Sequence, residues 1–340
     1  MTVDREQQGI EFRKLRKEKQ WNKSQSKLSM THAELMDISF PPNRWTVDGL
    51  IPAEGITILS APPGSYKTWL LLHIITAVAS GQKVLGEFST EPSSVLVIDE
   101  ENGPRLIQDR LSYLNVGDNL NIHYRFNTDF IADTKKINQV IEFCQSESIK
   151  FVTIDSLIRI HSGNENDAGE MAKVFKQLRK FTNNGISLLL THHNRKSGAN
   201  SGVGSQEMRG SSDILAALDC HLSLVRDDDR LKLSQNKIRT TEELEPLDIS
   251  IKKDGELVKF VFEGTLKLAE NRRKTIRSSV VEVLDEYGSG NQNEILVRLK
   301  EKGIATSVNT LRDALNQLIN DETITKDKGE RNSYIFKLTI

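Results

Sequence analysis

A short loop in the first quarter of the chain carries residue types suited to binding phosphate. The apolar stretch I-T-I-L-S is followed by A-P-P-G-S-Y-K-T at residues 61–68 and then by W-L-L-L-H-I-I-T-A-V-A. This order predicts a strand, a loop and a helix, and backbone N–H groups at a helix N-terminus bind phosphate oxygens. We expect Lys67 to reach the β- and γ-phosphates of a nucleotide and the Thr68 hydroxyl to bind Mg²⁺. The predicted nucleotide-binding residues are Pro63, Gly64, Ser65, Tyr66, Lys67, Thr68 and Trp69.

The loop departs from the pattern G-x-x-x-x-G-K-[ST] at two positions, because Ala61 and Tyr66 stand where the pattern has glycine. Alanine is sterically mild at the first position. The Tyr66 side chain, by contrast, must find room outside the loop. An accidental P-P-G turn in front of a helix is the alternative interpretation.

Acidic residues follow two other apolar stretches. F-V-T-I-D ends in Asp155, and V-L-V-I-D-E-E-N contains Asp99, Glu100 and Glu101. Phosphoryl transfer to water needs an acid that organises Mg²⁺ and a residue that activates or positions the water. We therefore expect Asp155 to hold Mg²⁺ together with Thr68. A lone Asp at a strand end is also common as a turn or cap residue, and this alternative stays open.

Polar and basic residues mark two later strand ends. L-L-L-T-H-H-N-R ends in His192 and His193, and a Gly/Ser-rich segment too long for an ordinary connector follows. Its first residues, Arg195 and Lys196, are suited to binding phosphates, or the segment is a surface loop with incidental charges. The two imidazoles are equally able to satisfy backbone groups at a strand end. Lys237 and Arg239 in Q-N-K-I-R-T fit a solvated edge strand as well as a functional pair.

The elements that position these residues predict an α/β fold with a mainly parallel twisted sheet and helices on both faces. From Ile51 to about Thr265, short apolar runs alternate with segments of helical period, such as Lys67 to Ala79 and Met171 to Phe181. After Gly210 the pattern changes to four shorter runs separated by polar turns, which predict antiparallel strands extending the sheet.

The last 70 residues predict a small winged helix-turn-helix domain. Helical patterns cover Thr275 to Tyr287, Gln292 to Lys302 and Val308 to Asn320, and a hairpin pattern follows. Asn309 and Arg312 lie at exposed positions of the third helix, where they suit contact with the major groove of DNA. The 12 basic and 10 acidic side chains from Asn271 onward give only a weak positive balance, so protein docking is the alternative.

Composition limits the remaining classes. With 46 Lys and Arg against 47 Asp and Glu, no global charge attracts the chain to a polyanion, so any such site is local. Cys144 and Cys220 are isolated in apolar runs, which suits reduced thiols in a cytoplasmic protein. Neither a signal peptide nor a membrane span is expected. We predict three regions: a basic N-terminal arm at 1–38, helical or disordered, an ATPase domain at 39–268 and a winged-helix domain at 271–340, with the boundary near Ala269.

Five blocks agree in order and spacing with a known family. They are A-P-P-G-S-Y-K-T, V-I-D-E-E-N, T-I-D-S-L-I-R-I-H with E-N-D-A-G-E-M-A, L-L-T-H-H-N-R and R-G-S-S-D-I. The span from about Pro41 to Glu263 resembles the RecA-like P-loop ATPases that include the RepA-type hexameric plasmid helicases. The resemblance implies ATP and Mg²⁺ as cofactors and Glu101 as the residue that activates water, with Glu100 as the alternative.

The resemblance also implies roles for the later basic residues. His193 matches a γ-phosphate sensor, and the segment after it, with Arg195, Lys196 and Arg209, would line a channel that holds single-stranded nucleic acid. Lys237 and Arg239 match the basic pair that such motors insert into the nucleotide site of a neighbouring subunit.

Three functions are compatible with these features. The first is an ATP-driven motor, namely a ring-forming, hexameric replicative DNA helicase of a plasmid, phage or mobile element. It would act on single-stranded DNA and would contact duplex DNA through the winged helix. The second is an ATP-switched DNA-binding regulator. The third is a recombination mediator that forms filaments on DNA without unwinding it. None of the three requires a membrane.

Overall fold

The computed structural model describes residues 29–38, 43–194, 212–304, 306–328 and 334–339, without the side chains of 212, 213 and 267–274. The chain divides into two units, residues 1–45 and 46–340. In the first unit, helix α1 (His32–Met36) follows Thr31, whose side chain accepts a hydrogen bond from the Glu34 amide. The Glu34 carboxylate accepts one from the Thr31 amide in return, so α1 begins with a capping box.

The second unit is built around a nine-stranded sheet. Two short strands, β1 (Trp45–Val47) and β2 (Ile51–Pro52), precede it along the chain. The strands of the sheet are β3 (Ile56–Ala61), β4 (Ser94–Asp99), β5 (Ile122–Phe126), β6 (Ile149–Asp155), β7 (Ser187–His193), β8 (Cys220–Asp227), β9 (Arg230–Ile238), β10 (Leu247–Asp254) and β11 (Leu257–Thr265). Their order across the sheet is β11-β10-β9-β8-β3-β7-β6-β4-β5.

Strand directions divide the sheet into two parts. The six neighbouring strands from β8 to β5 are parallel, with β3 paired to β7 on one side and to β8 on the other. The hairpins β8–β9, β9–β10 and β10–β11 are antiparallel. The predicted α/β fold with a mainly parallel sheet is therefore confirmed, and the carboxyl ends of the six parallel strands meet at one edge.

Helices cover both faces of the sheet. They are α2 (Lys67–Ser80), α3 (Pro104–Tyr113), α4 (Thr134–Ser146), α5 (Ala168–Asn183) and α6 (Ser212–Ala217), with one 3-10 turn at Leu157–Arg159. Because successive side chains of a strand point to opposite faces, Val95 and Val97 enter the core formed with α2 and α3. Leu96 and Ile98 enter the core formed with α4, α5 and α6.

The C-terminal region contains three helices and a small sheet. Helices α7 (Leu266–Tyr287), α8 (Gln292–Glu301) and α9 (Val308–Asn320) accompany strands β12 (Gly290–Asn291), β13 (Ile324–Lys328) and β14 (Tyr334–Leu338). Side chains from all three helices and from the sheet form a separate core that includes Val280, Leu299, Leu311 and Phe336. None of the helices in the described residues is long and apolar enough to cross a bilayer.

The predicted start of the first C-terminal helix is corrected by α7. This helix begins directly after β11 at Leu266 and continues without interruption to Tyr287, whereas the sequence indicated a helix only from Thr275. Lys, Arg and Glu are strong helix formers, so the polar composition of this segment does not interrupt the helix. The domain boundary near Ala269 stays a prediction.

Leu178 provides a test of the core on the α5 face of the sheet. Its side chain is fully buried among residues of α4, α5 and the sheet, so Leu178→Ala should lower the free energy of unfolding by about 2 to 5 kcal/mol. Urea unfolding would measure this loss. Lys173→Ala, at an exposed position of the same helix, should change the value by less than about 0.5 kcal/mol. Equal effects would contradict the packing.

Candidate active site

The loop between β3 and α2 adopts the backbone of a phosphate-binding loop. Gly64 and Tyr66 both have left-handed backbone angles, with φ of +76° and +61°. Glycine adopts this region freely, whereas an ordinary side chain there costs roughly 1–2 kcal/mol. The position filled by Tyr66 thus needs the conformation that glycine usually supplies, which explains the glycine in the general pattern.

The Tyr66 ring lies outside the loop, as the sequence required. It packs edge-on against Phe260 of β11, with 6.5 Å between ring centroids. The guanidinium of Arg226, at the end of β8, lies 4.7 Å from the ring centroid on its face. Arg226 Nη1 also lies 3.4 Å from the carbonyl oxygen of Gly64. The antiparallel part of the sheet therefore supports the left-handed residue and holds the loop.

Lys67, the first residue of α2, is a buried cation. Its side-chain ammonium has no hydrogen-bond acceptor among the residues that the structure describes, and the residue is only 7 % exposed. Burial lowers the pKa of Lys67, and the nearby carboxylates of Asp155 and Glu101 oppose that change. Leaving a buried ammonium unpaired is unfavourable. An anionic ligand such as a polyphosphate would supply the missing acceptors.

Asp155 and Thr68 face each other at the end of β6 and the start of α2. The Thr68 hydroxyl donates to Oδ2 of Asp155 at 3.2 Å, and the Thr191 hydroxyl donates to Oδ1. One hydroxyl and one carboxylate, completed by phosphate oxygens and water, form a set that Mg²⁺ commonly uses. In the described part of the chain, no group of three or more His, Cys, Asp or Glu residues could hold a metal alone. The donor set therefore fits Mg²⁺ that arrives with a nucleotide.

Asp99, at the end of β4, organises the loop that follows it. Its Oδ1 accepts the backbone N–H groups of Glu101 at 2.9 Å and Asn102 at 2.6 Å. The Asn102 side-chain amide lies within 3.3 Å of both Asp99 and Asp155. Burial raises the pKa of Asp99 to about 6, against the opposing effect of the Asn102 hydrogen bonds. Asp99 fixes the backbone from which the Glu101 side chain extends.

The two adjacent glutamates point to different places. Oε1 of Glu100 accepts hydrogen bonds from the backbone and hydroxyl of Thr128, at 3.1 and 2.6 Å. Glu101 instead lies in the cavity beside the phosphate-binding loop, with Oε1 3.3 Å from Nε2 of His193. Burial raises the pKa of Glu101, but the nearby Ser156 hydroxyl, the contact with His193 and the charge of Lys67 lower it below its usual value. Glu101 is thus ionised at neutral pH.

Strand register explains why His193 meets Glu101. Ala61, which ends β3, is aligned with His193 on β7, and Asp99 on β4 is aligned with Asp155 on β6. The ends of these four parallel strands therefore surround one cavity of about 470 Å³. The cavity is lined by residues 62–69, which include all predicted nucleotide-binding residues, together with Glu101, Asn102, Arg110 and His193.

Arg110 and Asn102 also line the cavity; Asn102 ends the block V-I-D-E-E-N but was given no role, and Arg110 stands in no quoted block. Within the described residues, Nη1 of Arg110 is buried without a hydrogen-bond partner. Burial lowers the pKa of Arg110, and the carboxylates of Asp155 and Asp99 oppose that change. Arg110 stands three positions after the buried Ile107 on α3, so it shares the face of α3 that points inward. That helical spacing was the available signal.

Lys237 and Arg239 are not part of this cavity. Ile238 is aligned with Cys220 at the start of β8, and Cys220 is aligned with Thr57 near the start of β3. Lys237 and Arg239 therefore lie at the edge of the sheet opposite the cavity. There the Lys237 ammonium donates to the carbonyl of Leu215 at 2.5 Å, and Arg239 donates to the carbonyl of Ala216. Both residues thus cap the C-terminal end of α6 in their own chain.

The predicted nucleic-acid contacts lie elsewhere in the chain. Arg195, Lys196 and Arg209 fall outside the described residues. Asn309 and Arg312 are exposed on α9. Arg312 also lines a groove of about 610 Å³ between α9 and the β13–β14 hairpin, together with Asn316, Lys326 and Tyr334.

A phosphate-binding loop, an unpaired lysine and two carboxylates at the carboxyl edge of a mainly parallel sheet are the arrangement of a P-loop ATPase. The model of the family AAA_25, described as an AAA domain, matches residues 22–199. This span is just over half of the chain, and the chain belongs to this family. Among solved structures, an ATPase domain is similar over 61% of this chain and 84% of that chain, at 12% identity and a TM-score of 0.49.

Gly64 allows a test of phosphate binding with a matched control. A Cβ at Gly64 or at Gly86 would meet no atom within 4 Å, and both residues have left-handed φ angles. Each Gly→Ala variant should therefore lose about 1 kcal/mol of stability. Only Gly64→Ala places a methyl group where phosphate approaches the loop, so it should weaken ATP binding about tenfold or more, as expected for one lost charged hydrogen bond. Titration with a fluorescent ATP analogue measures this, and equal affinities in the two variants would contradict the site.

Asp99 predicts a pH dependence of stability in protein free of nucleotide and Mg²⁺. Its pKa rises from 3.8 in the unfolded chain to about 6 in the folded chain. The folded state therefore binds the proton more tightly than the unfolded state. As pH rises from about 4 to above 6, the free energy of unfolding of wild type should fall by about 2 to 3 kcal/mol relative to that of Asp99→Asn. Urea unfolding at several pH values measures the difference. Asp109→Asn, at an exposed position of α3, controls for removing one charge, and a pH-independent difference for Asp99→Asn would refute the prediction.

Proposed function

We propose that the chain is an ATP-driven nucleic-acid motor, a ring-forming replicative DNA helicase of a plasmid, phage or mobile element. The contact between Glu101 and His193 carries this proposal. It joins the carboxylate best placed to activate water to the strand that continues into the segment expected to bind single-stranded DNA. In such an arrangement, β7 would respond to loss of the γ-phosphate and would also alter the binding of nucleic acid. A motor requires this coupling.

In the proposed reaction, the loop amides and Lys67 hold the β- and γ-phosphates of ATP, and Thr68 and Asp155 hold Mg²⁺. When bound there, Mg²⁺ would neutralise charge on the phosphates. Glu101 accepts a proton from the attacking water, and the ionised state of this carboxylate suits that role. His193 contacts Glu101 and lies at the side of the cavity where the terminal phosphate would be placed. Arg110, with its unpartnered Nη1, adds positive charge at the phosphates.

The proposed action on DNA uses residues outside this cavity. Arg195, Lys196 and Arg209 would bind the backbone phosphates of a single strand in a central channel. Lys237 and Arg239 would enter the nucleotide site of a neighbouring subunit and stabilise the transition state. Because they lie at the opposite edge of the sheet, they could act on a nucleotide only across a subunit boundary, and they would first have to leave the carbonyls of Leu215 and Ala216. A hexameric ring provides such boundaries.

An ATP-switched DNA-binding regulator is the second candidate. It is favoured by the groove between α9 and the β13–β14 hairpin, where the Lys326 ammonium lies 3.9 Å from the ring centroid of Tyr334. We propose that this region is a winged helix that binds duplex DNA through Asn309 and Arg312. In that case ATP would control assembly or the position of the module, and hydrolysis would be slow and indifferent to single strands.

Steady-state ATP hydrolysis with and without single-stranded DNA tests the proposal. A motor should show strong stimulation, and Lys67→Ala should abolish turnover. Glu101→Gln should lower kcat by about 10² to 10⁴ with nucleotide binding retained. Glu100→Gln is the matched control and should stay within about twofold of wild type, because its side chain bonds to Thr128 outside the cavity.

Each outcome distinguishes a different part of the proposal. Basal turnover that is lost in Lys67→Ala but indifferent to DNA would favour the regulator. Unchanged turnover in Lys67→Ala would refute the phosphate-binding site. A larger loss in Glu100→Gln than in Glu101→Gln would transfer the catalytic role to the neighbouring glutamate.

A further inference from the structure

A pair of ionisable side chains, the buried His192 and the partly buried Glu165, lies on the face of β7 opposite the nucleotide cavity. Nε2 of His192 is 2.9 Å from Oε1 of Glu165, and the His192 side chain is only 2 % exposed. Nε2 of His161 lies 3.9 Å from the same carboxylate oxygen. Glu165 belongs to the connection that follows the 3-10 turn after β6 and ends at the start of α5. The pair thus joins the end of β7 to a loop that comes from β6.

The residues on either side of His192 contact the two carboxylates assigned to the reaction. The Thr191 hydroxyl donates to Asp155, and His193 lies 3.3 Å from Glu101. Because side chains alternate along a strand, Thr191 and His193 point to the nucleotide face while His192 points to the other. One hydrogen bond at His192 therefore fixes the backbone that positions both neighbours.

The loop that contains Glu165 has internal hydrogen bonds of its own. The Glu170 carboxylate accepts the backbone N–H of Asn164, and the Asn164 side chain accepts the N–H of Asn166 at 3.0 Å. Asp167 caps the N-terminus of α5 by accepting the N–H of Glu170. The loop is thus anchored without the contact to His192. Burial of a carboxylate against an imidazole is then best explained by what it does for β7.

We infer that Glu165 and His192 are positioning residues that hold His193 and Thr191 in place for hydrolysis. The inference rests on the proposed roles of Glu101 and His193. The carboxylate holds the His192 ring by accepting its Nε2–H, and the end of β7 is thereby kept against β3, where His192 is aligned with Ser60. Without this bond the last residues of β7 gain freedom, and His193 and Glu101 spend less time at contact distance. Displacements of about 1 Å at reacting groups lower rates by up to about 10².

The test is a kcat and KM comparison of Glu165→Ala and Glu165→Gln in the full chain. Glu165→Ala should lower kcat about tenfold and leave the KM for ATP within about twofold, because it changes the alignment of His193 and leaves the phosphate-binding loop intact. Glu165→Gln keeps an oxygen that accepts the Nε2–H and should recover most of the rate. If Glu165→Ala does not fold, His192→Gln, which retains a side-chain N–H near the Nε2 position, is compared with His192→Asn, which is too short to reach Glu165.

Two controls separate positioning from a general loss of structure. Glu170→Ala removes a contact within the same loop without touching His192 and should leave kcat nearly unchanged. In a His193→Ala background, Glu165→Ala should cause little further loss of kcat, because the two residues act in series. An equal loss in both backgrounds, an effect on KM alone, or an unchanged kcat in folded Glu165→Ala would overturn the inference. Such results, with Lys67→Ala and Glu101→Gln still inactive, would leave the proposed function standing, whereas activity in Lys67→Ala would defeat the function itself.

Discussion

The unpaired ammonium of Lys67 is the constraint on which the site depends. The protein buries this charge, the described residues supply no hydrogen-bond acceptor for it, and the charges of Asp155 and Glu101 partly compensate. Both carboxylates contact other side chains, Thr68 and His193 respectively, rather than the lysine. Phosphate oxygens would resolve this imbalance and bring the cation that Thr68 and Asp155 suit. The site is thus arranged around the charge of its ligand.

The parallel sheet converts distant parts of the sequence into one site. Strand β3 leads into the phosphate-binding loop, strands β4, β6 and β7 end in Asp99, Asp155 and His193, and register places these ends beside one another. The antiparallel hairpins contribute through a different mechanism. Arg226 and Phe260 support the Tyr66 ring and so stabilise a backbone conformation that tyrosine rarely adopts. Arg226 and Phe260 therefore compensate for the replacement of the usual glycine by Tyr66.

Sequence patterns predicted the strands, the loop and the direction of the sheet because each depends on local periodicity and on turn residues. Asp155, Glu101 and His193 lie near Lys67 because parallel strands share their carboxyl edge, whereas the roles of Glu101 and His193 were predicted only from the family resemblance. No role was predicted for Arg110, Asn102 or Glu165, although Asn102 and Glu165 stand in two of the matched blocks, since such roles depend on the angle of α3 and on the path of two loops. The start of α7 was placed too late because a polar composition does not by itself end a helix.

Helix α7 joins the sheet to the C-terminal core as one continuous element. Its 22 residues form one element that starts at the last strand of the sheet and ends within the C-terminal core, a length of about 33 Å. A continuous helix transmits rotation as a rod does, so a tilt of about 10° at β11 would move the far end by about 6 Å at this length. Strand β11 also carries Phe260, which touches the Tyr66 ring of the phosphate-binding loop. A small tilt at β11 would thus become a larger displacement at the groove between α9 and the β13–β14 hairpin.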